Sequence, residues 1–300
     1  MLLALPLVIL GAAFAVQAHL AHDAGVLRVA RHHSRISVPR APLDPSPKLH
    51  RRKSCLARKT TTKTAAAAKA TALNEAAVAG IIKVVDSRCG PSGATTKITK
   101  TAGPNGDIDW LNCGLTGEGW SPPRIDIQEV KAIDLNDALK SSSSPFHACS
   151  KFVPFFYKYG GENGIPPIML ASFAMQESTC NPETVGGGGE QGLMQLTKDK
   201  CGGAPNNNCK DPEFNIKKGA AFFAKTLSDN NGDLLLSIGE YNGWYKGLTR
   251  AKATAARYTS CCRCQNNMDY LHQHLNGWMQ NTNPYTMGLG KYFNLDVCGN

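Results

Sequence analysis

Glu177 closes an uncharged, largely apolar run, Ala171-Ser172-Phe173-Ala174-Met175-Gln176, and Ser178 follows it. A carboxyl group in such surroundings is the acid that glycoside cleavage needs, one still protonated near neutral pH and able to donate to a departing sugar oxygen. Two effects raise a carboxyl pKa in that direction, desolvation and a nearby negative potential. Glu177 is expected to have both, because it sits on an apolar face and ends a predicted helix, whose last carbonyls carry partial negative charge. A glutamate near a helix end is ordinarily a solvated surface residue. Its meaning therefore depends on the elements around it.

Those elements read as helical from about Phe146 onward. Residues 151–159 are a first candidate. Pro166 and Pro167 suit the first turn of a helix, where a missing N–H costs little, and the run that follows puts Met169, Phe173 and Glu177 at four-residue spacing on one face. Asp211-Pro212 predicts the start of another helix, with Ile216, Ala220, Phe223 and Leu227 as its apolar stripe. Asp233 caps a third, along which Leu234, Ile238 and Tyr241 align, and a last helix covers residues 268–279. No period-two strand pattern occurs in this half. The expected fold class is mainly α, a compact helical domain over residues 146–300 behind a loop-rich, disulfide-bonded arm over 81–145. Cys89 and Cys113 are expected to staple that arm to the domain. Trp110 and Trp120 fit the core better than a sugar-stacking role.

The chain has 33 basic and 23 acidic residues, a net charge of +10. Twelve of the basic residues fall in 19–75 against three acidic ones, leaving 21 against 20 in 76–300. The basicity thus belongs to a tail, and no nucleic-acid partner is expected for the folded part. This tail, 19–80, has few large apolar side chains, four prolines between 39 and 47 and a low-complexity run over 60–70, so disorder is expected. Arg51-Arg52-Lys53 reads equally as a processing site and as a solvated basic linker, and the tail's charge would favour anionic surfaces. Residues 1–18 are uncharged and end Val16-Gln17-Ala18, the pattern of a signal peptide cut after Ala18. No later segment offers roughly 18 uninterrupted apolar residues. The expectation is a secreted, extracellular protein, monomeric and without stable membrane insertion. Ten of the eleven cysteines lie between Cys89 and Cys298, which predicts five disulfides of open connectivity with Cys55 left over. Zinc is disfavoured because Cys261-Cys262-Arg263-Cys264 lacks a matching pair. No metal and no cofactor are expected.

Four blocks in order carry a resemblance over about residues 150–250. Glu177-Ser178 is followed by Gln191-Gly192-Leu193-Met194-Gln195-Leu196, then by Asp211-Pro212 with Asn215-Ile216, then by Glu240-Tyr241-Asn242-Gly243. This resembles the soluble lytic transglycosylase domain, related to goose-type lysozyme, of glycoside hydrolase family 23. The resemblance implies a lysozyme-like helical fold and cleavage of the β-1,4 bond between N-acetylmuramic acid and N-acetylglucosamine in peptidoglycan glycan strands. It also implies that Glu177 is the acid, that Ser178 orients a group near the bound sugar, and that Gly192, Met194 and Gln195 line the cleft. Tyr241 and Asn242 would sit beside Glu177 and hold the carboxyl or the substrate, with Met194 more a gap-filler than a contact. The implied mechanism uses one carboxyl. Glu177 protonates the glycosidic oxygen, the substrate's N-acetyl group stabilises the oxocarbenium-like centre, and Glu177 then assists the muramic acid 6-hydroxyl to give a 1,6-anhydro sugar.

Two departures bear on that mechanism. Where the family has a small residue before the turn, this chain has Glu190, a second carboxylate that could position a water as an inverting hydrolase needs, or a solvated loop residue beside the Gly186-Gly187-Gly188-Gly189 run. Trp244 replaces a small residue after Asn242-Gly243 and reads as a sugar subsite or as core. Two alternatives keep the fold: a chitin-cleaving enzyme, separable by digesting both polymers, and a non-catalytic cell-wall-binding protein, in which Glu177→Gln would have no activity to abolish. The dense cysteines, the dibasic run and the long arm suggest a eukaryotic, fungal source, with a bacterial one left open.

Overall fold

A helix that is apolar nearly all round is stable only when other elements surround it, and the run ending at Glu177 is of that kind. The computed structural model describes residues 80–84 and 87–298. The expected signal peptide, nearly all of the basic tail with Arg51-Arg52-Lys53, and Cys55 lie outside the described residues. Regular structure begins with a two-residue antiparallel pair, β1 (Ala102–Gly103) and β2 (Gly106–Asp107). Two short helices follow, α1 (Ile108–Leu111) and α2 (Leu135–Leu139). A 3-10 segment, Pro145–Phe152, leads into α3 (Val153–Asn163), α4 (Pro167–Ser178), α5 (Pro212–Asp229), α6 (Leu234–Tyr241) and the one-turn α7 (Arg250–Ala253). The last helical stretch starts as α8 (Tyr270–His272), widens into a π segment over Gln273–Gly277 and closes as a 3-10 turn, Trp278–Gln280. The fold is mainly helical.

Every residue of α4 from Ile168 to Ser178 is buried. It packs on α3, on the 3-10 segment before α3 and on the π and 3-10 segments at the far end of the chain. Its start behaves as the two prolines predict, and α5 and α6 start at Asp211 and Asp233, whose side chains accept from Phe214 N and Leu236 N. The candidate over 151–159 is longer than expected, because the chain stays helical until Gly164 ends it at φ 66°. At the other end of α4, Thr179 and Cys180 both take left-handed φ values, 53° and 56°, which a β-branched residue like Thr179 rarely adopts. The disulfide from Cys180 to Cys149 holds that turn, directly after Glu177 and Ser178, against the 3-10 segment.

All ten cysteines of the described residues are paired, with Cys201–Cys209, Cys261–Cys264 and Cys262–Cys298 completing the helical part. Cys89 and Cys113 bond to each other. The arm is therefore closed on itself and not stapled to the domain, and other contacts dock it. Trp120 is wholly buried, exchanges backbone hydrogen bonds with Gly247 and Leu248, and covers Gly239 of α6, where any Cβ would meet its indole. Trp244 meets it edge-on with ring centroids 4.9 Å apart. Asn105 adds bonds from its N to Asn276 Oδ1 and from Nδ2 to Leu275 O, both 2.8 Å. Trp110, Trp120 and Trp244 are core residues, covered from any sugar.

Two buried histidines make this packing sensitive to acid. Burial lowers the pKa of His272 to about 4 and of His274 to about 3, from 6.5. With folded-state values depressed, the unfolded chain binds more protons below pH 6.5. Their contribution is complete above 6.5 and is lost as pH falls toward 4 and 3. Asp233, Glu240 and Asp269, whose pKa burial raises, act in the opposite sense, so the informative quantity is a difference between proteins. Calorimetric Tm is expected to fall less steeply between pH 6.5 and 4 for His274→Leu than for wild type.

Candidate active site

Glu177 stands in the last turn of α4 with 2% of its surface exposed. Its Oε1 accepts a hydrogen bond from Tyr270 Oη at 2.7 Å. Tyr270 opens α8, and Gln176, the residue before the acid, donates from Nε2 to the Tyr270 carbonyl at 3.3 Å. The start of α8 is fixed in turn by Asp269, whose carboxylate accepts from Lys291 N, Tyr292 N and Phe293 N at 2.7 to 3.0 Å. Burial pushes the Asp269 carboxyl up, and those three N–H groups oppose the shift. Tyr270 was not among the expected site residues. A tyrosine at the head of a predicted helix was visible, but nothing in the chain ties it to a glutamate 93 positions earlier.

The turn at 192–195 is held from four directions. Gly192 lies at φ 77°, with the Asn215 side chain where a Cβ would go. Asn215 accepts from Met194 N at 2.7 Å and donates to Gln191 O and Cys209 O at 2.8 Å each. Ser178 Oγ lies 2.9 Å from both Ala174 O and Leu193 O, tying the end of α4 to the turn. Tyr241 Oη donates to Met194 O at 2.9 Å. Gln195, at φ 47°, donates from Nε2 to Gly192 O and Thr184 O. The structure thus gathers Ser178, Met194, Gln195 and Tyr241 around one turn. Asn242 Oδ1 accepts from Asn267 N at 3.1 Å and its carbonyl accepts from Asn266 Nδ2 at 3.0 Å. It joins the end of α6 to the strand of chain that leads into Tyr270.

Glu190 is not the solvated loop residue expected. It is 3% exposed and its Oε2 accepts from Gly188 N at 3.1 Å. Gly186 and Gly188 carry no side chains, so the backbone folds over the carboxylate where any Cβ would collide with it. Among the described residues no group of His, Cys, Asp or Glu is placed to hold a metal ion.

Residues 154–259 match the family model of the transglycosylase SLT domain, a stretch that holds Glu177, Ser178, the turn and Tyr241-Asn242 and ends before Tyr270. The membrane-bound lytic murein transglycosylase F of Serratia proteamaculans is 33% identical over 110 residues, 34% of this chain and 22% of the relative. That of Haemophilus influenzae is 38% identical over 99 residues, 33% and 20% of the two chains. The transglycosylase of Enterobacteria phage PRD1 is 35% identical over 79 residues, 26% and 29%. The chain spans under a third of each of these relatives. Among solved structures, an inactive mutant of the lytic transglycosylase Slt from Pseudomonas aeruginosa aligns at TM-score 0.29 and 18% identity, over 48% of this chain and 24% of that one. Residues 154–259 thus match a transglycosylase SLT domain, and the relatives from Serratia and Haemophilus that align with this chain are lytic murein transglycosylases. The expected extracellular location does not stand, because relatives from Serratia, Yersinia and Haemophilus are named as membrane-bound. The apolarity of residues 2–16 does not decide between release and retention. Among the described residues no helix is long and apolar enough to cross a membrane.

Asn215→Ala strips partners from Met194 N, Gln191 O and Cys209 O, and is expected to cost roughly 2–4 kcal/mol in urea unfolding. Tyr241→Phe, which frees one carbonyl, is expected to cost about 1 kcal/mol in the same measurement.

Proposed function

We propose, for a chain whose residues 154–259 are a transglycosylase SLT domain, that it cleaves the β-1,4 bond between N-acetylmuramic acid and N-acetylglucosamine in peptidoglycan, with Glu177 as acid and then base. The observation that carries this reading is a buried carboxyl at the end of a buried helix, met by a phenol at 2.7 Å. With Oε1 accepting from Tyr270, the acid's proton belongs on Oε2, directed at the glycosidic oxygen. As the bond breaks, the substrate's N-acetyl oxygen supports the positive charge at the anomeric carbon. The Glu177 carboxylate so formed takes the proton of the muramic acid 6-hydroxyl, and that oxygen closes the 1,6-anhydro ring. The phenol's hydrogen bond strengthens when Glu177 becomes an anion, because charge-assisted bonds are the stronger ones. Ser178, Met194, Gln195, Tyr241 and Asn242 shape and fix the wall beside this acid, and peptidoglycan glycan strands are the partner.

A second outcome of the same site is hydrolysis, favoured by the burial of Glu190, a carboxylate enclosed by the loop that enters the Gly192 turn. It would position a water for attack. Mass spectrometry of purified peptidoglycan digested by the protein separates the two. The anhydro path gives muropeptides lighter by one water than reducing-end products, hydrolysis gives the reducing ends, and an intact polymer contradicts the function itself. Tyr270→Phe removes the hydrogen bond that strengthens as Glu177 becomes an anion, and is expected to lower kcat by roughly tenfold to a hundredfold with the protein still folded.

A further inference from the structure

His274 is completely buried, and among the described residues neither ring nitrogen meets a hydrogen-bond partner. Leaving such groups desolvated and unpaired destabilises a fold. A leucine of similar volume would avoid that cost, so stability alone does not account for a histidine here. Burial holds the ring neutral, with its pKa lowered to about 3.

What the ring does have is flat neighbours. Its centroid lies 4.4 Å from that of Phe173 and 6.2 Å from that of Tyr270, nearly parallel to the latter at 14°. Phe173, inclined at 43° to the imidazole, meets Tyr241 in turn at 4.2 Å and a tilt of 31°. Tyr241, Phe173, His274 and Tyr270 therefore form one column of rings. The hydroxyl at one end holds Met194 O in the turn, and the hydroxyl at the other end holds Glu177 Oε1. Phe173 stands one turn before Glu177 on α4, and Tyr270 stands one turn before His274. His274 also lies in the π segment, Gln273–Gly277, and inserted π turns recur where a helix must aim a side chain at a site.

We infer that His274 is a positioning residue, whose ring face fixes the plane of Tyr270 so that the phenol O–H meets Glu177. The proposal rests on the reading of Glu177 as the acid. It assigns the histidine no contact with substrate. A flat ring is what the column requires.

The discriminating variant is His274→Leu. It keeps the volume and removes the unpaired nitrogens, so a merely space-filling role leaves the protein folded, active and at least as stable. The proposal expects otherwise. With tyrosine carrying carbon-13 at the ζ position, the Tyr270 resonance, assigned by its loss in Tyr270→Phe, reports the phenol's hydrogen bond. It is expected to move both in Glu177→Gln and in His274→Leu, and to return toward wild type in His274→Phe. On peptidoglycan, His274→Leu is expected to show a roughly tenfold fall in kcat with KM within about twofold, the mark of a misplaced group and not of lost binding. If leucine prevents folding, His274→Met makes the same comparison with a flexible filler. A folded variant whose Tyr270 resonance stays at the wild-type position overturns the proposal. A wild type that leaves peptidoglycan intact overturns the functional reading instead, and the resonance still decides the role of His274.

Discussion

The constraint on which this structure depends is that α4 has no polar face to offer solvent. A helix buried from Ile168 to Ser178 must be enclosed on every side, and the other elements are arranged by that requirement. The helix α3 and the 3-10 segment before it cover part of it, the π segment and final 3-10 turn cover another, and the arm closes over α6 through Trp120 and Gly239. Glu177 is buried because its helix is. The cost of placing a carboxyl there is offset by local bonds, with the phenol of Tyr270 on one oxygen and the end of the helix pinned by Ser178 and by the Cys149–Cys180 disulfide. The Cys149–Cys180 disulfide and the left-handed turn at Thr179 belong to the same requirement, since a helix end that carries an acid must not fray.

Much of this was legible in the residues, and what was legible was local. Proline at 167 and aspartate at 211 and 233 act on the helix turn beside them, so three helix starts follow from chemistry within a few positions. The number of cysteines foretold five bridges, and the blocks around Glu177, Gly192 and Tyr241 foretold the family. What was not legible depends on pairing across long stretches of chain. Tyr270 reaches Glu177 from 93 positions away, and Asn215 reaches the turn at Met194 from 21. Cys89 turned to Cys113 and not to the domain, because connectivity is a property of the folded arm and not of spacing. Glu190 was misread for a different reason. A run of glycines suggests an open, flexible loop, yet here the missing side chains at 186 and 188 are what let the backbone close over the carboxylate. The apolar N-terminal stretch was read as release, and the membrane-bound relatives correct that.

The site also shows how few groups the proposed chemistry asks of the chain. One carboxyl, one phenol and a braced turn suffice if the substrate supplies its own N-acetyl group, and the rest of the polar inventory is spent on holding those groups still. Asn215 satisfies the turn, Asp269 locks the head of α8 to the C-terminal segment, and Asn242 ties α6 to the approach to Tyr270. A preorganised acid of this kind does not wait for the substrate to assemble it.

The central claim is that Glu177 carries the proton. Its most direct test is the rate at which soluble muropeptides are released from purified peptidoglycan by wild type and by Glu177→Gln, at equal concentrations of folded protein. The account predicts that the amide, which cannot act as the acid, lowers that rate by roughly a hundredfold to ten-thousandfold while the thermal transition remains cooperative. A folded Glu177→Gln that releases muropeptides at the wild-type rate would contradict it.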